Sequence, residues 1–463
     1  MRKSPAFIAL LATGCATMQP TYGRPDPAVP ASWPTGDSYL RQSEASLPAV
    51  TYRDIFRDAR LQALIDQALV NNRDLAVAAA NIAAAREQVR IQRASQFPQL
   101  DAGGNVNASG TKSDASASYQ VGLSVPSFEL DLFGRLRSLT DVQRNRYFAT
   151  EAAARATRLA LVSAVATAWL NYAADASLLR IAEDTVASAE KSVRLTRARL
   201  EGGIAPRTDL RQAEQVMEGA KADAADQRTA LAQDVNLLRL LVGAEIDPKL
   251  LPASIDQAAP TVAELPAGLD SQVLLRRPDV VEAEYQLRAA NAQIGAARAA
   301  LFPRISLTGL LGLASTALGG LFSGGAFAWS AGGDASYTIF QAGAGRANVR
   351  LTEAQKAAAV ATYQKTIQSA FREVSDALAR RGTIGEQLRA RQAQQAAAAD
   401  TYLLTEARYR NGIDSFLGSL DAQRSYYSAQ RTLVLSRLQA ATNLVDLYRS
   451  LGGDSLLTAA PTA

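Results

Sequence analysis

Leu100-Asp101-Ala102-Gly103-Gly104-Asn105-Val106-Asn107-Ala108-Ser109 alternates, residue by residue, between apolar or tiny side chains and a second set that is mostly polar. A period of two is the geometry of a β-strand with two unlike faces, and roughly ten residues is the length that crosses a bilayer at a tilt. After a short loop from Gly110 to Ala115 the pattern returns, with Ala117, Tyr119, Val121, Leu123 and Val125 on one face and Ser116, Ser118, Gln120, Gly122 and Ser124 on the other. These segments predict a hairpin over about 99–128. A second hairpin is predicted over about 304–340: Ile305, Leu307, Leu311 and Leu313 make one stripe, and Phe327, Trp329, Ala331, Ala335, Tyr337 and Ile339 lie opposite Ser330, Asp334, Ser336 and Thr338. One apolar and one polar or tiny face predicts lipid on one side and water on the other. Taken alone, the pattern also suits a soluble, half-buried hairpin.

The two hairpins belong to an internal duplication. Asp74-Leu75 and Phe97-Pro98 recur as Asp279-Val280 and Phe302-Pro303, each 205 residues on. Farther along, Gly203-Ile204, Ala213 and Gly243 recur as Gly412-Ile413, Ala422 and Gly452, each 209 residues on. Agreement in order, spacing and type predicts two copies of one unit, 61–243 and 266–452, joined by a linker over 244–265 and followed by a tail over 453–463.

Between the β-segments lie helices of unusual length. Leu136 to Leu200 contains neither proline nor glycine, and ~65 residues at ~1.5 Å each make a rod of about 100 Å. Its counterpart runs from about Arg346 to Tyr409, and shorter helices over about 207–242 and 415–451 run back from the intervening turns. Apolar residues on the return helices alternate in steps of three and four: Leu210, Ala213, Met217, Ala220, Ala224 and Leu231 in one copy; Leu417, Leu420, Tyr427, Val434, Leu438, Ala441, Val445 and Tyr448 in the other. That spacing is a coiled-coil seam. Four strands cannot close a barrel, and open edges in lipid leave backbone groups unpaired at several kcal/mol each. Closure therefore requires other copies of the chain, and two, three or four are geometrically allowed.

Composition narrows the chemistry. Histidine is absent and cysteine occurs once in 463 residues, which excludes Ser/His/Asp and Cys/His nucleophile arrangements, His-ligated zinc and paired-cysteine metal sites. The net charge of +5 is carried by arginines scattered along helical positions rather than clustered with aromatics, which argues against nucleic acid as a partner. No sustained apolar stretch of ~18 residues is expected to span a membrane as a helix. Residues 1–14 place Arg2 and Lys3 before an apolar run from Ala6 to Ala12 and read as an export signal. Leu11-Ala12-Thr13-Gly14-Cys15 resembles a bacterial lipobox, with Ala12 where leucine is usual, so a covalent lipid on Cys15 is expected and no other cofactor. Ala16 after the cysteine resembles outer-membrane lipoproteins. Residues 15–60 then form a lipid-anchored extended N-terminal segment, with Pro20, Pro25, Pro27, Pro30 and Pro34 reading as a tether.

With these features in place, the chain resembles the TolC-like outer membrane factor family, in its lipoprotein drug-efflux (NodT/OprM-type) branch. The resemblance covers about 50–452. It is carried most specifically by Phe128-Glu129-Leu130-Asp131-Leu132-Phe133-Gly134-Arg135-Leu136-Arg137, placed after the second strand, and by Leu274-Leu275-Arg276-Arg277-Pro278-Asp279-Val280 opening the second copy. Gln341-Ala342-Gly343-Ala344-Gly345-Arg346 departs from the Asp-Gly-Gly pattern common in the family. The resemblance implies a mainly α protein with membrane β-structure: a homotrimer whose four strands per chain make a twelve-stranded β-barrel in the bacterial outer membrane, continued into the periplasm by a long α-helical barrel. It also implies passive transport in a tripartite system, with a periplasmic adaptor and an inner-membrane RND-type pump as partners and outer-membrane lipid around the barrel.

Two sets of residues carry over from the family. The turns containing Gly202, Gly203 and Ile204, and Gly412 and Ile413, end the long helices and correspond to the tips that meet the adaptor; a plain glycine cap is the alternative. Leu417, Asp421 and Arg424 fall four and three residues apart on one helix face and correspond to a periplasmic gate, Leu417 closing sterically and the charged pair linking the closed state. The alternative is an ordinary exposed ion pair. Thr208, Gln212 and Gln215 hold the equivalent first-copy positions, so the charged set belongs to one copy only. The expected function is the outer-membrane exit of an efflux pump for drugs or other small molecules; the alternatives are a duct for type I protein secretion and a periplasmic coiled-coil structural protein.

Overall fold

The computed structural model describes residues 17–30, 32–34, 51–111, 115–262 and 271–453. The expected export signal, Cys15, most of the loop between the first two strands and the tail after 453 lie outside the described residues. Apart from short helical turns, the elements are α1 (Ala59–Asn71), α2 (Arg73–Ala94), β1 (Asp101–Gly110), β2 (Ala115–Leu130), α3 (Arg135–Glu201), α4 (Arg207–Val242), α5 (Pro278–Ala299), β3 (Arg304–Ser315), β4 (Phe327–Ser336), α6 (Ala344–Arg410) and α7 (Phe416–Ser450). Helices α3 and α6 each have 67 residues, and α2 and α5 each have 22.

The chain divides into two compact units. One gathers the described residues of 1–27, 79–152 and 281–366; the other those of 28–78, 153–280 and 367–453. The first holds an antiparallel sheet in the order β1-β2-β3-β4, so β1 and β4 each keep one edge unpaired. Directly opposed residues share a face. Ala102, Leu123, Leu311 and Trp329 form one such row, and Gly104, Val121, Leu313 and Phe327 the next. The opposite face carries Asn105 with Gln120, Asn107 with Ser118, and Ser306 with Asp334. Val106, Leu123, Leu311, Phe327 and Trp329 are all exposed, so this apolar face has no protein covering it among the described residues. Gly122 and Gly312 meet across the central pair, where an added Cβ would come within 2.6 Å of the Leu311 carbonyl or 2.3 Å of the Val121 carbonyl.

The strands depart from the sequence expectation at two ends. β2 continues past Val125 to Leu130, so Phe128, Glu129 and Leu130 lie in the strand rather than after it. The register shifts between Val125 and Phe128, at Pro126 and Ser127. Proline has no N–H for the ladder, and the resulting bulge brings Phe128 and Leu130 back onto the apolar face opposite Leu307 and Ile305. At the other end β4 stops at Ser336, leaving Tyr337 and Ile339 outside it. Ser336 pairs with Arg304, the first residue of β3, and the residue before it is Pro303, which has no N–H to extend the ladder.

The family motifs turn out to be joints. Glu129 pairs with Arg135 at 2.7 Å, Asp131 accepts from the Arg137 backbone N–H at 2.8 Å, and Phe133 stacks on Phe302 at 4.7 Å. These contacts fix the turn from β2 into α3. In the second unit the buried Arg277 pairs with Asp279 at 2.7 Å and Glu373 at 3.0 Å and donates to the Ser450 carbonyl at 2.6 Å. The atypical turn before α6 puts Ala342 at φ +51 and Gly343 at φ +84, a left-handed pair that ends in an Ala344 N–H to Gln341 carbonyl bond of 3.0 Å.

Residues 17–30 of the proline-rich segment form no regular helix or strand and are docked rather than loose, and the stretch expected to be extended as far as residue 60 includes a short helix, Tyr52–Ile55. Arg24 pairs with Glu284 at 2.6 Å, Gln19 donates to Asp141 at 2.9 Å, and Asn291 donates to the Pro20 carbonyl at 2.8 Å. Burial works to raise the Glu284 pKa, but Arg24 and Arg288 outweigh it and hold the carboxyl below the ordinary range. One expectation about hydropathy is corrected too. α3 does contain an 18-residue window of mean hydropathy 1.2, apolar enough by composition to cross a membrane, but 61% of that window is buried within the chain. Val162, Val165, Ala166 and Trp169 are core residues of the second unit, where Trp169 also donates to the Leu250 carbonyl at 2.9 Å.

Candidate functional site

At the tips the two copies share one backbone. After α3, Gly203 adopts φ +72; its N–H donates to the Leu200 carbonyl at 3.0 Å and the Ile204 N–H to Arg199 at 2.9 Å. After α6, Gly412 adopts φ +73, with Gly412 N–H to Tyr409 at 3.0 Å and Ile413 N–H to Arg408 at 2.9 Å. Both are Schellman turns. A Cβ on either glycine would meet nothing within 4 Å, so glycine is needed for the left-handed backbone and not for room. In such turns the residue after the glycine usually packs back on its helix. Here Ile204 is 77% exposed and Ile413 63%, leaving an apolar side chain on each tip turned to the outside.

Behind the turns, Val193, Leu210, Ala213, Tyr409, Phe416 and Leu420 form a buried cluster joining α3 and α4 to α6 and α7. Arg199 lies over the Tyr409 ring at 4.4 Å and donates to the carbonyls of Tyr409 and Arg410 at 3.0 and 3.1 Å, so a first-copy cation caps the end of the second-copy long helix. Tyr427 donates to Asp223 at 2.6 Å and Tyr402 shares a 2.8 Å bond with Ser188. Burial, with Asp223 adding to it, pushes the Tyr427 hydroxyl up to about 12. None of these cross-links was predicted. The available signal was the concentration of Tyr402, Tyr409, Tyr426 and Tyr427 near one tip of a chain with only 6% aromatic residues.

The structure brings Leu417, Asp421 and Arg424 onto one exposed stripe of α7. Leu417 is 54% exposed, and Asp421 and Arg424 approach to 3.9 Å with side chains 64% and 49% exposed, a loose contact rather than a hydrogen bond. Leu417 therefore leaves the seam in which it was counted: Phe416, Leu420 and Gln423 face inward, and Leu417 faces away from them. Beside this stripe Arg408 grips Asp414 with bonds of 2.5 and 3.2 Å, which hold the Asp414 carboxyl below its ordinary range. The first-copy stripe is neutral, with Thr208 and Gln215 exposed and Gln212 half-buried.

Farther along the same hairpin, Asp175 of α3 and Asp234 of α4 share a half-buried site. Burial first, and the neighbouring Asp175 second, push Asp234 up to about 7. Burial also raises Asp175.

An exposed apolar sheet face with two open edges suits a wall in contact with lipid. The family model for outer membrane efflux proteins matches residues 64–244 and again 269–453. The chain belongs to that family. It is 45% identical over 460 residues to the probable efflux pump outer membrane protein TtgC of Pseudomonas putida, covering 97% of this chain and 95% of the relative. It is 41% identical over 466 residues to the outer membrane protein OprJ of Pseudomonas aeruginosa, covering 98% and 97%. Its structure is similar to the open state of the Neisseria gonorrhoeae MtrE outer membrane channel, with TM-score 0.86, 36% identity and coverage of 95% and 98%. The protein is an outer-membrane efflux channel subunit, a transport duct without enzymatic chemistry.

Proposed function

We propose that three copies close into one β-barrel continued by a helical tunnel, forming the passive exit of a tripartite RND-type pump for drugs or other small molecules. The observation that carries this reading is the four-stranded sheet, apolar and uncovered on one face and unpaired at β1 and β4. An even number of antiparallel strands lets β4 of one copy meet β1 of the next with alternation preserved, which satisfies the edge groups that lipid cannot. Acylation of Cys15 anchors the N-terminus in the same membrane.

The tips receive a periplasmic adaptor at Gly202, Gly203 and Ile204 and at Gly412 and Ile413, through the outward isoleucines. Leu417, Asp421 and Arg424 form the gate. Symmetry repeats the stripe as stacked rings, so Leu417 narrows the mouth and each Asp421, having only a 3.9 Å ion-pair contact among the described residues, is available to a cation on a neighbouring copy. Full-length wild-type and Asp421→Ala proteins in planar bilayers test this. The variant is expected to leak more current; equal conductance overturns the gate assignment.

A further inference from the structure

A cavity of about 730 Å³ lies between α2 and the start of α3, within the unit that holds the sheet. Arg86, Arg90 and Arg93 line it from α2, where steps of four and three place them on one face, and Arg144 faces them from α3. Three nearby carboxylates offset them incompletely, one of them Glu151, which accepts from the hydroxyl of the lining residue Tyr147. Asp141 accepts from Gln19 at 2.9 Å, and Glu87 pairs with Arg90 at 2.7 Å. Among the described residues Arg86, Arg93 and Arg144 make no ion pair; Arg144 lies over the Phe148 ring at 5.7 Å. Three unpaired guanidinium groups converging on one hollow, beside an aromatic wall, suit a phosphate ester, which arginine binds bidentately.

We infer that this groove binds the phosphate headgroup of an anionic phospholipid in the periplasmic leaflet of the outer membrane. Two placements favour a lipid as the source of the phosphate. The first is nearness to the barrel: Arg93 lies in the last turn of α2, eight residues before β1 begins, and Arg144 starts about 15 Å along α3 from Gly134 with its side chain inclined back toward the helix N-terminus. The second is the N-terminal segment. Thr17 rests against Gly134 and Gln19 is bonded to Asp141. Asp141, Arg144 and Phe148 follow at steps of three and four on α3, so the groove opens on the face that carries this segment. A segment that starts two residues before Thr17 at an acylated Cys15 has to run outside the tube, where the leaflet is, and not in the lumen. The inference rests on the barrel and anchor reading given above.

Native mass spectrometry of the full-length protein in a zwitterionic detergent tests it, with phosphatidylglycerol, phosphatidylcholine and inorganic phosphate as separate probes. Wild type is expected to retain phosphatidylglycerol roughly tenfold over phosphatidylcholine. The Arg86→Gln/Arg93→Gln/Arg144→Gln variant should fall near parity, while Arg372→Gln, at an exposed site in the other unit, keeps the preference. Parity in wild type, an undiminished preference in the triple variant, or displacement of phosphatidylglycerol by equimolar phosphate each overturns the inference. Lipid preference is scored on whatever mass the protein shows. Loss of the trimer mass therefore counts against the assembly alone, and a trimer without preference counts against the groove alone.

Discussion

The two helix tips have the same backbone and different chemistry. Their glycines adopt φ +72 and +73 and their turns repeat the same pair of hydrogen bonds. Arg199 and Arg408 are equivalent residues, 209 positions apart, yet Arg408 grips Asp414 whereas Arg199 reaches across to Tyr409. The cause is local: Ala205 stands where the second copy has Asp414, so the first-copy arginine has no carboxylate at home. A similar divergence appears along the hairpin, where the Asp175 and Asp234 pair is replaced by Ile384 and Asn443, the asparagine donating to the Ala377 carbonyl at 3.0 Å. Duplication supplied two equal frames, and side-chain substitution made one a clamp and the other an exposed, charged stripe.

The strongest way to break this comparison is to remove the clamp. Arg199→Ala loses two charge-assisted bonds and a ring contact from a half-buried position, and it is expected to destabilise the protein by about 2 kcal/mol in chemical denaturation. A loss no larger than that of Arg197→Ala, an exposed neighbour, would show that the tips are held by apolar packing alone.

Next come the turns themselves. Gly203→Ala and Gly412→Ala should each cost about 1–2 kcal/mol, because a Cβ in the left-handed region is strained even with open space around it. Clearly unequal losses would mean that the two frames are not energetically equivalent.

The carboxylate pair gives a pH-dependent contrast. Because Asp234 is raised to about 7 in the folded chain, its contribution to stability is full below the ordinary carboxylate range and is lost as pH rises through neutrality. Asp234→Asn copies the second-copy residue and should raise the unfolding temperature at pH 8.5 while changing it little at pH 3, below the ordinary carboxylate range. The same shift at both values would remove ionisation as the cause.

The smallest effect is expected at the stripe. Asp421→Asn should alter stability by less than about 0.5 kcal/mol, since the pair is exposed and loosely spaced. A larger loss in thermal unfolding would make Asp421 a structural residue and weaken its assignment to the gate.

Much of this was legible along the chain. Alternation at 100–109 and 116–125 marked the strands, the glycine-free run marked α3, and Gly203 and Gly412 marked the turns, because each depends on backbone preferences within a few residues. The stripe proposed as a gate was legible as a spacing, though not as a surface: steps of four and three put Leu417 near Leu420, and only the packing of Phe416 and Leu420 against Leu210 and Tyr409 shows that Leu417 faces out. The arginine groove was missed because Arg86, Arg90 and Arg93 read as one more polar helix face until Arg144 stands opposite.

By itself the sequence determined that there are two copies, that each has a two-stranded segment with unlike faces, and where the long helices begin and end, since hydropathic period and turn chemistry are properties of neighbouring residues. Only the tertiary structure decided that the strand bulges at Pro126 to keep Phe128 and Leu130 on the apolar face, that Arg199 serves the other copy's helix, and that two aspartates meet at 175 and 234. Those outcomes depend on which groups lie across space and on how much water reaches them, and neither is written in the order of residues.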